Sequence, residues 1–282
     1  SGFNLRIAKW AKAHGFKTNY YISPQIWASR EGRIEKIKHD IDEMYVILPF
    51  EKDFYEKKHG FEVNFVGHPL IDAIENRPGI DEQAFRKAHD IESDKPIVAL
   101  LPGSRKQEVQ KMLSLMLSVT EDFSLYHFVI AGAPSLDKEF YAPFLENPNV
   151  GFVENKTYEL LSIAHAALVT SGTATLETAL FKVPQVVCYK ANWLSYQIAK
   201  RIVTLDYISL VNLIMKKEVV KELIQTDLTS QNLKSELQHI LDGPKREAQL
   251  KAYEELENKL GGSGASKKTA SLIVQNLNSE NS

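Results

Sequence analysis

Short apolar runs alternate with segments of helical periodicity along most of the chain. An amphipathic pattern over Asn4–His14 leads into a strand at Lys17–Ile22, and a helix near Arg33–Lys38 precedes a strand at Met44–Leu48. Helix Lys52–His59 and strand Asn64–Val66 follow, and Gly67-His68-Pro69 then breaks the rhythm. It resumes with helix Glu82–His89, strand Pro96–Leu101, helix Glu108–Asp122, strand His127–Ala131 and helix Asp137–Leu145. Strand Gly151–Val153, helix Thr157–Ser162, strand Ala166–Val169, helix Leu176–Phe181 and strand Gln185–Tyr189 continue it, and from Asn192 the pattern is mostly helical. Strands spaced by helix-length segments make βαβ units, and near-continuous apolar strands belong to a parallel sheet covered on both faces. The predicted class is α/β with doubly wound parallel sheets. The charged stretch Ile71–Lys95 carries Pro78-Gly79 and one short helix, which puts a linker at 73–95. Residues 1–72 then form part of an α/β domain, 96–245 a complete one and 246–282 terminal helices. The first of these opens on a helix where a doubly wound domain ordinarily opens on a strand, so the chain is expected to start partway through it.

Two glycine-bearing turns interrupt this pattern, each after an apolar run and each at the head of a helix: Leu101-Pro-Gly-Ser-Arg105 and Thr170-Ser-Gly-Thr-Ala-Thr-Leu-Glu177. Glycine lets backbone approach a ligand, and a helix start offers unpaired N–H groups with partial positive charge. Two such turns at the carboxyl ends of parallel strands suit one diphosphate held between them. In the first turn Gly103 and Ser104 lead to Arg105, whose guanidinium suits a phosphate; a tight strand-to-helix turn with a solvated arginine explains the same residues. In the second, Ser171, Gly172 and Thr173 crowd hydroxyls and N–H groups at a helix start. Glu177 fits either a capping-box acid or a carboxylate accepting the hydroxyls of a ribose, and its pairing with the first turn favours ribose.

Composition narrows the classes. With 34 Lys and Arg against 36 Asp and Glu, the net charge of −2 gives no footprint for nucleic acid. Cys188 is the only cysteine, which excludes an internal disulfide; it lies in an apolar run and reads as an inert thiol in a reducing cytoplasm. No apolar stretch reaches the roughly 20 residues of a membrane span, and no signal peptide is visible. The chain lacks the Walker lysine pattern, the hydrolase Gly-x-Ser-x-Gly elbow and zinc-ligand spacing. Asp40-Ile41-Asp42 precedes a strand, at the wrong end for a metal-holding Asp-x-Asp, and reads as a solvated connection. No metal and no cofactor are expected. His68 reads as a turn-stabilising residue. The segment Asn192–Val203, with Trp193, Tyr196, Lys200 and Arg201, suits either a packed amphipathic helix or a membrane surface. Asn212, in the loop Tyr207–Asn212, suits either substrate orientation or turn stabilisation.

Several motifs occur together in one order: Tyr21-Ile-Ser-Pro-Gln-Ile-Trp-Ala28, Leu48-Pro-Phe-Glu-Lys52, Phe65-Val-Gly-His-Pro69, Leu101–Arg105 with Glu108-Val109, Ser171–Glu177 and Tyr207–Leu213. Together they resemble the lipid-A-disaccharide synthases, which are GT-B glycosyltransferases of two Rossmann-like domains. The resemblance covers essentially the whole chain. It implies transfer of diacylglucosamine from its UDP derivative to the 6-hydroxyl of diacylglucosamine 1-phosphate, giving a β-1,6 disaccharide and UDP without a metal. It implies peripheral contact with the cytoplasmic face of the inner membrane, with homodimers among the family. Carried over by position, Arg105 and Asn212 match the family's essential arginine and asparagine. Gly103, Ser104, Ser171, Gly172, Thr173 and Glu177 fall on its nucleotide-binding turns, and Ser23 and Trp27 fall in a motif expected to touch acceptor or donor sugar. The family's general base, an aspartate, lies just before the stretch matching Phe3-Asn4, so this chain is expected to begin at or after it, with an incomplete first domain and impaired turnover. Two other readings stay open from the residues: another GT-B enzyme such as a UDP-GlcNAc 2-epimerase, or a UDP-sugar-binding module without turnover.

Overall fold

The computed structural model describes residues 2–91, 94–190 and 206–278. They fall into two compact units, one holding 2–77 and 256–278, the other 78–190 and 206–255. The segment 192–203, read above as a packed or membrane-facing helix, lies outside the described residues.

The first unit carries a parallel sheet of β1 (Asn19–Tyr21), β2 (Glu43–Val46) and β3 (Asn64–Phe65), in that spatial order. Helix Gly2–Ala13 turns Leu5 and Ala8 inward, one helical turn apart, against Ile34 and Ile37 of helix Ile34–Asp40 and against Met44 and Val46 of β2. Asp40 and Asp42 are not a solvated connection. Asp40 is buried beside His39, and Asp42 accepts the Thr18 amide at 2.9 Å and its hydroxyl at 3.0 Å while pairing with Lys12. Burial opposes ionisation of Asp42, but Lys12 and Thr18 outweigh it and hold the carboxyl below its usual range. These bonds fix the entry to β1, which a pattern of charges in sequence does not reveal.

After β3 the chain makes a helix, Pro69–Glu75, where the sequence pattern registers only a break. Pro69 has its φ preset for the first helical position, and His68 caps the helix by accepting the Leu70 amide on Nδ1 at 3.2 Å. Burial lowers the His68 pKa to about 4, so the ring is neutral and free to accept. His68 thus stabilises a turn, as read from the sequence.

The second unit is an α/β layer around six parallel strands: β4 (Ile97–Leu101), β5 (His127–Gly132), β6 (Val150–Glu154), β7 (Ala164–Thr170), β8 (Gln185–Tyr189) and β9 (Lys221–Ile224). Their spatial order is β6-β5-β4-β7-β8-β9. Val98 and Leu100 enter one core with Phe128, Ile130 and Leu168, while Ile97, Ala99 and Leu101 enter another with Val129, Ala131 and Val169. Alternate residues thus serve two covered faces, which is why the strands read as unbroken apolar runs. Cys188 in β8 is buried, and burial pushes its thiol up to about 12. The strand β9 corrects the expectation of helix after Asn192: it is four residues long, lies on the sheet edge beside β8, and carries polar Lys221 and Glu222, so its apolar signal is too short to read. Helices Ser230–Leu241, Pro244–Lys259 and Ala265–Asn278 end the described chain. Among the described residues no helix is long and apolar enough to cross a membrane.

Candidate functional site

The sheet of the second unit grows from β4 through β5 to β6 on one side, then restarts at β7 and grows through β8 to β9 on the other. The reversal lies between β4 and β7, which pair in parallel from Ile97–Ala164 to Leu101–Val169. In open α/β sheets ligands settle in the crevice beyond the carboxyl ends of strands at such a switch point. The two glycine turns follow these two strands. Both line one cavity of about 310 Å³, to which the first contributes Gly103 and Ser104 and the second Ser171, Gly172, Thr173 and Glu177.

Backbone geometry explains the glycine of the first turn. Gly103 has φ +100°, a conformation side chains resist, and a Cβ there would lie 2.9 Å from Oε2 of Glu108. Glu108 also lines the cavity, from the first turn of helix Lys106–Leu117. Arg105 is the N-terminal cap residue of that helix; it is exposed and stands outside the residues that line the cavity. The carbonyl of Ser104 accepts a hydrogen bond from the Ser135 hydroxyl at 3.1 Å, tying the turn to the loop after β5.

The second turn is held from three sides. The Ser171 amide donates to the Cys188 carbonyl at 3.2 Å, and its hydroxyl donates to the Ile208 carbonyl at 3.1 Å. The Thr175 hydroxyl donates to the Gly172 carbonyl at 2.8 Å. Helix Thr173–Leu180 begins three residues earlier than its apolar pattern suggests, so Glu177 sits beyond the first turn and does not form a capping box. Instead its Oε1 accepts the Tyr158 hydroxyl at 2.9 Å. Burial and the adjacent Glu177 carboxylate raise the pKa of Tyr158, keeping it a donor, and its ring leans on Phe181 with centroids 5.2 Å apart.

Asn212 lies in helix Leu210–Met215, not in a loop, and is fully buried. Its Nδ2 donates to the Val220 carbonyl and to Glu222 Oε1, both at 2.9 Å, and its Oδ1 accepts the amides of Val219 at 2.8 Å and Val220 at 3.0 Å. With four bonds made it offers nothing to a ligand. Glu222 collects further donors from the same segment: the Ile208 amide at 3.0 Å, the Ser209 amide at 2.9 Å and the Ser209 hydroxyl at 2.7 Å. The chain of contacts runs from Asn212 through Glu222 to Ile208, and from there to Ser171 at the cavity.

Ser23 and Trp27 belong to the first unit. Both donate to Oε1 of Glu51, Ser23 at 2.6 Å and Trp27 at 3.1 Å, while Oε2 accepts the amides of Ile47 at 3.2 Å and Leu48 at 2.9 Å. Glu51 is 1% exposed, and desolvation raises its pKa despite these four donors. The polar atoms of both predicted sugar contacts thus serve a buried carboxylate.

Sequence reasoning missed Glu51, Glu108, Tyr158 and Glu222. Glu51 and Glu108 stand inside quoted motifs, which is the only signal they carry. Tyr158 and Glu222 carry none, because the contacts that matter join them to Glu177 and Asn212 on other elements.

A family model described as lipid-A-disaccharide synthetase matches residues 1–276. A lipid-A-disaccharide synthase of Anaeromyxobacter sp. (strain K) is 39% identical over 280 residues, 96% of this chain and 72% of that protein. One from Coxiella burnetii (strain Dugway 5J108-111) is 41% identical over 245 residues, 86% of this chain and 64% of that protein. Among solved structures, a UDP-GlcNAc 2-epimerase from Neisseria meningitidis bound to UDP-GlcNAc superposes with a TM-score of 0.60 at 14% identity, covering 97% of this chain and 73% of its own. The S. aureus MnaA structure with UDP gives 0.64 at 14% identity, covering 95% of this chain and 71% of its own. These two likenesses establish the fold, α/β of the GT-B type.

Proposed function

Since the chain belongs to the lipid-A-disaccharide synthase family, we propose that it moves diacylglucosamine from its UDP derivative to the 6-hydroxyl of diacylglucosamine 1-phosphate, and that UDP occupies the cavity between the two glycine turns. The observation that carries the reading is that cavity: both turns line it, at the switch point of a parallel sheet. UDP leaves as an anion. In this reading the amides of Gly103 and Ser104 and the starts of helices Lys106–Leu117 and Thr173–Leu180 supply positive partial charge to the pyrophosphate, each helix end contributing about 0.3–1 kcal/mol and up to ~2 when partly buried. Arg105, at the mouth of the first turn, supplies the full positive charge that offsets the developing oxyanion. Glu177 takes the ribose hydroxyls on the carboxylate oxygen that Tyr158 leaves free. Asn212 acts at a distance, by fixing Glu222 and through it the Ile208 segment whose carbonyl takes the Ser171 hydroxyl. The acceptor is taken up in the first unit, around the loop that holds Ser23 and Trp27.

Both substrates carry acyl chains, which supports work at the inner face of the bacterial inner membrane as a peripheral protein; the homodimer rests on the family resemblance alone.

Titration of UDP into the wild-type chain and into Arg105→Ala and Glu177→Ala tests the site. Each variant is expected to bind at least tenfold more weakly, as loss of a charge-assisted hydrogen bond of about 1.5–3 kcal/mol requires. Unchanged affinity in both would remove the assignment. Product analysis with an acylated UDP-glucosamine donor tests the reaction.

A further inference from the structure

The cavity given to UDP is lined by two carboxylates, Glu108 and Glu177, and among the described residues by no lysine, arginine or histidine. Glu177 accepts the Tyr158 hydroxyl at 2.9 Å. Glu108 is half-buried and, among the described residues, accepts no hydrogen bond and joins no ion pair. The usual role of an acid at its position is unfilled. Arg105 caps helix Lys106–Leu117, so Glu108 is the third helical residue, where a capping-box acid folds back onto the amide of the cap residue. Here the carboxylate leans on the glycine turn instead: its Oε2 lies 2.9 Å from the place of a Cβ on Gly103.

From there Glu108 draws on the positive end of the helix, the end that the function proposed above gives to the pyrophosphate. An anion held by the turn meets a fixed negative charge beside the N–H groups that bind it, and no cationic side chain of the cavity wall offsets that charge. The repulsion grows with the charge the anion carries. Donor and product differ in that respect. In a sugar nucleotide each of the two phosphates carries a single negative charge. When the bond from the sugar to the diphosphate breaks, the linking oxygen stays with phosphorus. The terminal phosphate then ionises a second time with a pKa of about 6, so UDP carries one more negative charge than the donor at neutral pH.

We infer that Glu108 is a specificity-determining residue that reads this difference: it weakens the hold on UDP more than the hold on a UDP-sugar, and so favours departure of product over loss of donor. It takes no part in bond making. The inference rests on the placement of UDP between the two glycine turns.

The test titrates the full chain with uridine, UDP-GlcNAc and UDP at about pH 8, where the terminal phosphate is fully ionised, for wild type, Glu108→Gln, Glu108→Ala and Glu108→Asp. In the two uncharged variants UDP is expected to bind about tenfold more tightly than in wild type, UDP-GlcNAc to gain at most about a third of that, and uridine to stay within about twofold. Glu108→Asp keeps the charge and stays near wild type for all three. The gap between the UDP and UDP-GlcNAc gains narrows as salt is raised, because the repulsion is screened. A merely structural role would move the three ligands together. A common shift in the uncharged variants, or a ratio of UDP to UDP-GlcNAc affinity that equals the wild-type ratio, overturns the inference. Two uncharged variants are carried so that, if one fails to fold and loses uridine as well, the other decides. The placement of UDP fails separately, through absence of UDP binding by wild type.

Discussion

Tyr158 leaves Glu177 with one carboxylate oxygen committed and one free, and it does so from a helix that no motif marks. In Tyr158→Phe the ring packing against Phe181 survives and only the hydroxyl is lost. UDP is expected to bind about tenfold more weakly, within the range for one hydrogen bond to a charged group, while 2′-deoxy-UDP, which offers one hydroxyl fewer, loses less. Titration of both nucleotides checks this. Asn212 calls for a different expectation. Asn212→Ala would strand the Val219 and Val220 amides and remove a donor from Glu222. Each buried group left unpaired costs about 1–3 kcal/mol, so chemical denaturation should show a clear loss of stability. Glu222→Gln keeps the shape but turns an amide N–H₂ toward donors, and is expected to weaken UDP binding through Ser171 while leaving the affinity for uridine alone nearly unchanged.

Among the elements, the alternation of β4 to β8 with helices was legible because both sheet faces are covered and each strand is an unbroken apolar run. The glycine turns were legible because a glycine between an apolar run and a helix leaves a mark in sequence, and Gly103 holds a positive φ of +100°. Less visible were β9, an edge strand of four residues, and helix Pro69–Glu75, whose start depends on the neutral ring of His68. The site residues Tyr158 and Glu222 were illegible because their partners, Glu177 and Asn212, lie 19 and 10 residues away on other elements, at no spacing that a helix or strand period marks; Glu51 showed only as a letter of a motif, its bonds to Ser23 and Trp27 being equally unmarked. His68 gives the element a pH signature. Its pKa of about 4 in the folded chain lies below the ordinary value near 6.5 of an unfolded one. The unfolded chain therefore takes up the proton first, and the stability contributed by the neutral cap is complete above pH ~6.5 and lost as pH falls toward ~4, by about 3 kcal/mol at most. His68→Asn retains a capping acceptor without a titrating ring. The difference in melting temperature between wild type and this variant is expected to shift in favour of the variant as pH is lowered through that window.

At the level of the molecule, the end of the described chain belongs to the first unit. The Leu260 carbonyl accepts the His68 amide at 3.1 Å, Asp72 accepts the amides of Gly264 and Ser266, Lys268 donates to the Phe65 carbonyl at 2.9 Å, and Asn276 donates to the Tyr45 hydroxyl at 3.3 Å. Gly67 allows the approach, because a Cβ at its φ of +93° would lie 3.2 Å from the Leu260 carbonyl. Removing helix Ala265–Asn278 should therefore unsettle the first unit and spare the second. Calorimetry is expected to show the part of the unfolding trace that UDP does not stabilise weakened, with the UDP-dependent part retained.

The lone cysteine has a practical corollary. Cys188 is sealed in β8, and at neutral pH almost none of it is thiolate. A cysteine introduced at exposed Ser29 would thus be the one thiol open to maleimide chemistry in the folded protein. A dye attached there would report on the loop after β1 by itself, with no need to engineer the native sulfur away.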